Sequence, residues 1–182
     1  QARAVGHALH FLDVLLGNVG QQVIRRFAHH RFGELAVTVA HVILVGQQDA
    51  GHILALAERL HFPSVFRSDH YFIGPQQDSL EAYLSFVIAA KETTTLRFGP
   101  LVSPVTFRSP IDQARMAAQI DVLSGGRFVM GMGAGWNEAE HRAYGIPFPP
   151  LKERFDRLEE SIQVAKSLWT SADARFDGRY YT

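Results

Sequence analysis

From Gly51 to Trp169 the sequence alternates short apolar runs with longer amphipathic ones over brief links, and this alternation limits the fold more than any other feature. A strand followed by a helix and then another strand, with little chain between them, predicts parallel strands, because each helix carries the chain back to the end where it started. Within His52 to Leu60, residues Ile53, Leu56, Ala57 and Leu60 fall on one face of a helix. Ser64 to Arg67 reads as a short strand that runs into Ser68-Asp69-His70. Leu80 to Lys91 predicts a second helix with Leu84, Val87 and Ile88 inward, and Leu96 to Val102 the next strand. Ser109-Pro110 has the cap-then-proline order of a helix start, and Ser124-Gly125-Gly126 ends that helix with residues that tolerate a left-handed turn.

Arg127 to Met132 is apolar at successive positions, as in a strand covered on both faces. After a loop from Gly133 to Pro150, the segment Leu151 to Trp169 places Leu151, Phe155, Leu158, Ile162, Ala165 and Trp169 on one helical stripe. Ala174 to Tyr181 suggests a hairpin turning at Asp177-Gly178. The three strand segments are expected to be adjacent and parallel. Two architectures satisfy this pattern, an open doubly wound sheet and part of a closed (β/α)8 barrel, which takes about 250 residues when complete.

Residues 1-50 read differently. They hold His7, His10, His29, His30 and His41, and with His52 these make six of the nine histidines. Periodicity there supports only a helix around Leu9 to Leu16 and a strand at Leu35 to Val45. The chain is therefore divided into an atypical segment, 1-50, and an α/β domain, 51-182.

Eighteen basic residues balance eighteen acidic ones, so no global field draws in nucleic acid or an anionic membrane. The longest apolar stretch is far below the roughly 20 residues a membrane-spanning helix needs, and no export signal is legible at the start, so the expected location is cytoplasmic and the expected partner a small molecule. With no cysteine there is no thiolate chemistry. Glu138, Glu140 and His141 do not share a helical face in the manner of metal ligands and read as a solvated helix start, and the paired histidines of the opening segment read as surface residues; no metal is expected.

Five blocks then occur in a telling order: Ser68 to Phe72 (SDHYF), Phe98 to Arg108 (FGPLVSPVTFR), Leu123 to Arg127 (LSGGR), Gly131 to Trp136 (GMGAGW) and Glu153 to Glu160 (ERFDRLEE). Together they resemble the luciferase-like monooxygenase family, which includes bacterial luciferase and oxidoreductases that use the deazaflavin coenzyme F-420. The resemblance covers residues 52 to 181 and leans toward the deazaflavin branch through Ser-Asp-His and the run from Gly145 to Arg157. It implies a (β/α)8 TIM barrel of which this chain holds the N-terminal half, about four βα units, with FMN or coenzyme F-420 at the C-terminal ends of the strands, where such barrels carry their sites. Hydride transfer or oxygen activation at the cofactor ring is the implied activity, in a homodimer; the alternative is a non-catalytic relative that binds flavin or a partner subunit.

The resemblance also implies site residues. His70 corresponds to a histidine beside the cofactor ring and is the catalytic candidate; read alone, it could equally cap the next loop, with Asp69 a turn residue. Gly99 and its neighbouring prolines make an irregular strand, and the family carries a non-proline cis peptide there, placed here at Leu101-Val102. The cofactor-binding set is Asp69, His70, Leu101, Val102, Ser103, Gly133, Ala134 and Gly135. The glycines from Gly131 to Gly135 lack the second-glycine spacing of a dinucleotide fold, and simple tight packing is their other reading. The sugar-phosphate dehydrogenase branch places a carboxylate after the last glycine, where this chain has Trp136, and a tryptophan near Gly74; both departures argue against sugar-phosphate oxidation. Later strands supply most of the family's phosphate and substrate contacts, so residues 1 to 182 by themselves are expected to bind the cofactor weakly and to turn over nothing.

Overall fold

The structure is a computed structural model that describes residues 50–72 and 80–182, together with the backbone of 27–32 and 35–40. In chain order the elements are β1 (Phe27–Phe32), β2 (Leu35–Ala40), α1 (Ala50–Arg59), β3 (Ser64–Arg67), α2 (Ala82–Glu92), β4 (Arg97–Pro100), β5 (Ser103–Pro104), α3 (Pro110–Ser124), β6 (Met132–Gly133), α4 (Glu138–Tyr144) and α5 (Leu151–Thr170). The expected helix at Leu9 to Leu16 lies outside the described residues, as does the part of the Leu35 to Val45 strand beyond Ala40. β1 and β2 form an antiparallel pair, and β2 lies beside β3.

β3 pairs in parallel with β4, Phe98 bridges Phe128 in the same sense, and β5 pairs in parallel with β6. The three expected strand segments are thus neighbours running one way. The segment from Arg97 is interrupted at the cis peptide bond Leu101–Val102, the bond named from the sequence. No helix among the described residues is long and apolar enough to cross a membrane.

The core lies between the strands and α1 and α2. Phe86 meets Phe98 and Phe128 ring to ring, with centroids 6.2 and 5.4 Å apart, and Leu54, Val65, Tyr83, Ala89, Leu96 and Ile120 close around them. Burying an aromatic ring of this kind stabilises by about 1.5 to 3 kcal/mol. α3 begins and ends as its sequence demands: the Ser109 hydroxyl accepts from the Ile111 and Asp112 amides, and Gly125 takes a left-handed φ of 67°.

Several readings are corrected. In α2 the inward residues are Ala82, Tyr83, Ser85, Phe86, Ala89 and Ala90, whereas Leu84 and Val87 are exposed. The two large rings, three positions apart, set the helix phase. In α5 the expected stripe is only partly inward: Ala165 is buried and Leu158 half-buried, but Leu151, Phe155, Ile162 and Trp169 are exposed, and Arg154, Ser161 and Val164 are buried in their stead. At the start of that inward face the Arg154 guanidinium donates to the carbonyls of Pro149 and Gly135 and lies 4.0 Å from the centre of the Phe148 ring. Residues 127–133 are half-buried instead of covered on both faces. Ala174 to Tyr181 forms no hairpin strands; the Glu160 carboxylate accepts from the amides of Arg179, Tyr180 and Tyr181 and fixes the segment against α5.

Candidate functional site

Parallel pairing delivers Ser68 to His70, Leu101 to Ser103 and Gly133 to Gly135 to the same end of the strands. Leu101 donates its amide to the Arg67 carbonyl (2.7 Å), Ser103 to Gly131 (2.9 Å) and Val105 to Gly133 (2.9 Å), which pins the three strand ends together. Leu101 and Val102 are 44% and 38% exposed, an apolar pair facing outward at this end. Behind them, a Cβ on Gly131 would collide with the Pro100 carbonyl and one on Gly133 with the Val102 side chain. Glycine is needed at Gly131 because the backbones approach closely, and at Gly133 because the Val102 methyl fills the space of a side chain. Gly135 has φ +80°, and a Cβ there would lie 2.9 Å from the Thr106 hydroxyl. Ala134 lies between these glycines and is half-buried.

Asp69 and Ser103 are buried and engaged with each other. The Ser103 hydroxyl donates to Asp69 Oδ2 (2.5 Å), Arg108 donates to both Asp69 oxygens (2.5 and 3.1 Å), and Tyr83 donates to Ser103 (3.2 Å). Arg108 also pairs with Glu81 at 2.5 Å. Burial alone would lower the Arg108 pKa, but Asp69 and Glu81 outweigh it and hold the guanidinium charged. Burial pushes the Tyr83 phenol up to about 12, so it remains a donor. This network fixes the backbone that carries His70 and Val102, leaving the neighbouring Leu101 and Val102 side chains as the open surface.

His70 is held by a residue assigned to solvent from the sequence. Glu140, 0% exposed, takes the His70 Nδ1 at 2.7 Å on its Oε2, while its Oε1 accepts the amides of Tyr71 (2.6 Å) and Phe72 (3.0 Å). His141 is likewise buried, with Nδ1 donating to the Asn137 carbonyl and Nε2 against the Thr106 hydroxyl, each at 2.7 Å. The solvated-helix reading of Glu140 and His141 is therefore wrong: α4 lies on the loop after β3, with Tyr144 stacked on Tyr71 at 4.6 Å. An aromatic four residues after Glu140 marked that inward face in the sequence. Trp136, 68% exposed, meets the His70 ring edge-on at 5.5 Å. Arg108, the last residue of the Phe98 to Arg108 block, is the partner of Asp69, a contact across 39 positions that no local signal announces. Among the described residues no three His, Asp or Glu side chains gather as a metal site.

A flat cofactor ring needs an apolar platform with a polar group at its edge. Leu101 and Val102, at the same strand end as His70, fit that requirement. Among the described residues three arginines reach this end: Arg108 and Arg154 are committed to protein groups, whereas Arg67 at the end of β3 donates Nε to the Ser68 carbonyl and keeps a buried Nη1 without a hydrogen-bond partner.

Comparison with known proteins gives the context of these residues. The model of the luciferase-like monooxygenase family matches residues 31–182. An F420-dependent glucose-6-phosphate dehydrogenase of Intrasporangium calvum is 37% identical over 130 residues, which are 69% of this chain and 39% of that protein. The enzyme of the same name from Amycolatopsis mediterranei is 34% identical over 139 residues, 75% of this chain and 42% of its own. Among solved structures, an F420-dependent secondary alcohol dehydrogenase in complex with an F420-acetone adduct superposes with a TM-score of 0.66 at 27% identity, covering 74% of this chain and 42% of that one. A monooxygenase from Streptomyces bottropensis gives 0.65 at 25% identity, covering 74% and 40%. The chain thus spans about two fifths of the length of the relatives it matches, and its strands and helices form the corresponding part of their barrel. This chain belongs to the luciferase-like monooxygenase family.

Proposed function

We propose that this chain supplies the ring-binding end of a flavin- or deazaflavin-dependent oxidoreductase, with coenzyme F-420 or FMN as the cofactor. The observation that carries the reading is the exposed Leu101–Val102 pair at the same C-terminal strand ends as His70, where barrels of this class hold their sites. Such a ring, when bound, supplies hydride transfer or oxygen activation. Leu101 and Val102 back the ring, Gly133 to Gly135 leave room for that platform, and His70 exchanges a proton with the reacting group. Asp69 and Ser103 act through the backbone they hold.

The curated relatives are named for glucose 6-phosphate, yet the turn from Gly131 to Asn137 contains no carboxylate. We therefore assign a small-molecule substrate other than a sugar phosphate. Cytoplasmic residence and a homodimer are part of the same proposal, the latter open to sedimentation analysis.

The test is a fluorescence titration with FMN and with coenzyme F-420. Saturable binding weaker than micromolar is expected for one or both, and Gly133→Val, which forces Val102 out of place, should weaken it tenfold or more, about 1.4 kcal/mol. No saturable binding of either cofactor, or binding indifferent to Gly133→Val, contradicts the reading.

A further inference from the structure

The two oxygens of the Glu140 carboxylate do different work. Oε1 accepts two backbone amides, Tyr71 at 2.6 Å and Phe72 at 3.0 Å, so that position must present lone pairs only. Oε2 faces His70 Nδ1 at 2.7 Å. A neutral imidazole carries its proton on one nitrogen, and the partner of the other nitrogen decides which. A carboxylate is the weaker base by about two pK units in unperturbed groups, so the proton of this contact belongs to the imidazole nitrogen. Glu140 is fully buried and shares the contact with a ring whose side chain is 11% exposed, so water competes little for either group.

We propose that Glu140 is a positioning residue that fixes His70 as the Nδ1–H tautomer and so makes Nε2 the proton-accepting edge of the ring. The use of that edge in catalysis rests on the oxidoreductase reading above; the tautomer itself does not. The geometry also dictates what an isosteric change does. In Glu140→Gln the amide oxygen must stay with the Tyr71 and Phe72 amides, because an NH₂ there would face two donors. The NH₂ then falls opposite Nδ1, which can satisfy it only as an acceptor. The proton is driven to Nε2, and the ring's polarity is reversed with hardly a change in shape.

Imidazole nitrogen shifts in ¹⁵N-labelled chain, correlated to the ring protons, read this directly, since a protonated ring nitrogen resonates far upfield of a bare one. The His70 peaks are those lost in His70→Asn, and spectra are taken at rising pH until the ring is neutral, with no cofactor present. The expected result is a protonated Nδ1 and bare Nε2 in the wild type, reversed in Glu140→Gln. A wild-type ring protonated at Nε2, or a tautomer unchanged by Glu140→Gln in a chain whose circular dichroism is native, overturns the proposal. Should Glu140→Gln fail to fold, the wild-type spectrum still decides whether His70 carries its proton on Nδ1. A cofactor titration that failed while these spectra behaved as expected would count against the oxidoreductase reading and leave the positioning role of Glu140 in place.

Discussion

The two ends of the parallel strands are built on the same device and differ in what it holds. At the end where the strands begin, Glu58 of α1 accepts the amides of Thr94, Thr95 and Leu96 at 2.8, 2.5 and 2.9 Å, together with the Thr95 hydroxyl. Arg127 completes that end by donating to the carbonyls of Ala90, Thr93, Leu96 and Ser124 and to the Thr93 hydroxyl. At the end where the strands finish, Glu140 of α4 likewise binds the turn after β3 through two amides, but its third partner is an imidazole. A carboxylate bound to amides and a hydroxyl alone does nothing but hold a turn. One that shares its oxygens between a turn and a histidine couples loop position to the state of a titratable ring. On the proposed function, the first end is scaffold and the second is site, and the difference in the third partner accords with that assignment.

The largest expected effect is on the second end. Glu140→Ala strips the acceptor from two backbone amides and an imidazole in a place that water barely reaches, and each buried donor left unpaired costs about 1 to 3 kcal/mol. A loss of about 3 kcal/mol or more in urea unfolding is expected; a loss below about 1 kcal/mol would mean that the turn after β3 is held by its aromatic contacts, Tyr71 on Tyr144 and Phe107, and the comparison would lose its basis.

At the scaffold end, Arg127→Ala removes the donor to four carbonyls at once, and about 2 kcal/mol is expected by the same measure, with binding of either cofactor unchanged once the chain is folded. A selective loss of cofactor binding would show that the two ends are not separable.

The smallest effect belongs to Glu58→Gln. Although burial raises the carboxyl pKa, the Thr95, Leu96 and Thr94 amides outweigh it and lower the value from 4.5 to about 2. A depressed folded-state pKa contributes stability above the unfolded value that disappears as pH falls through the folded one. The wild type should exceed Glu58→Gln by about 1 to 2 kcal/mol at neutral pH, after allowance for solvent screening, and the gap should close between about pH 4.5 and pH 2. A gap independent of pH in that range would assign the stabilisation to packing.

How far the sequence disclosed this arrangement follows from which interactions are local. The capped helix from Ser109 to Gly125 was legible because each signal acts within a few residues of itself, as was the order of parallel strands from short links and apolar runs. Helix phase was legible only in part: Leu151, Phe155 and Ile162 of the apolar stripe are exposed while Ala165 is buried, and Arg154 is buried against a carbonyl, that of Gly135, 19 positions away. The site divided in the same way. His70, Leu101, Val102 and the glycines carry a pattern in the chain itself, whereas Glu140 lies 70 positions from His70 and Arg108 39 positions from Asp69. A buried carboxylate beside a buried histidine on a charged helix looks like solvent-facing sequence until its partners are in place.

The proposed function places a cofactor ring at the site end of the strands and not at the scaffold end. Amide chemical-shift mapping of the ¹⁵N-labelled chain during addition of FMN and of coenzyme F-420 tests it most directly. Shifts concentrated at Asp69 to Phe72, Leu101 to Ser103 and Gly133 to Trp136, with Thr94 to Leu96 and Arg127 unmoved, are the predicted result. Shifts centred on Thr94 to Leu96, or spread evenly over both ends, would contradict it.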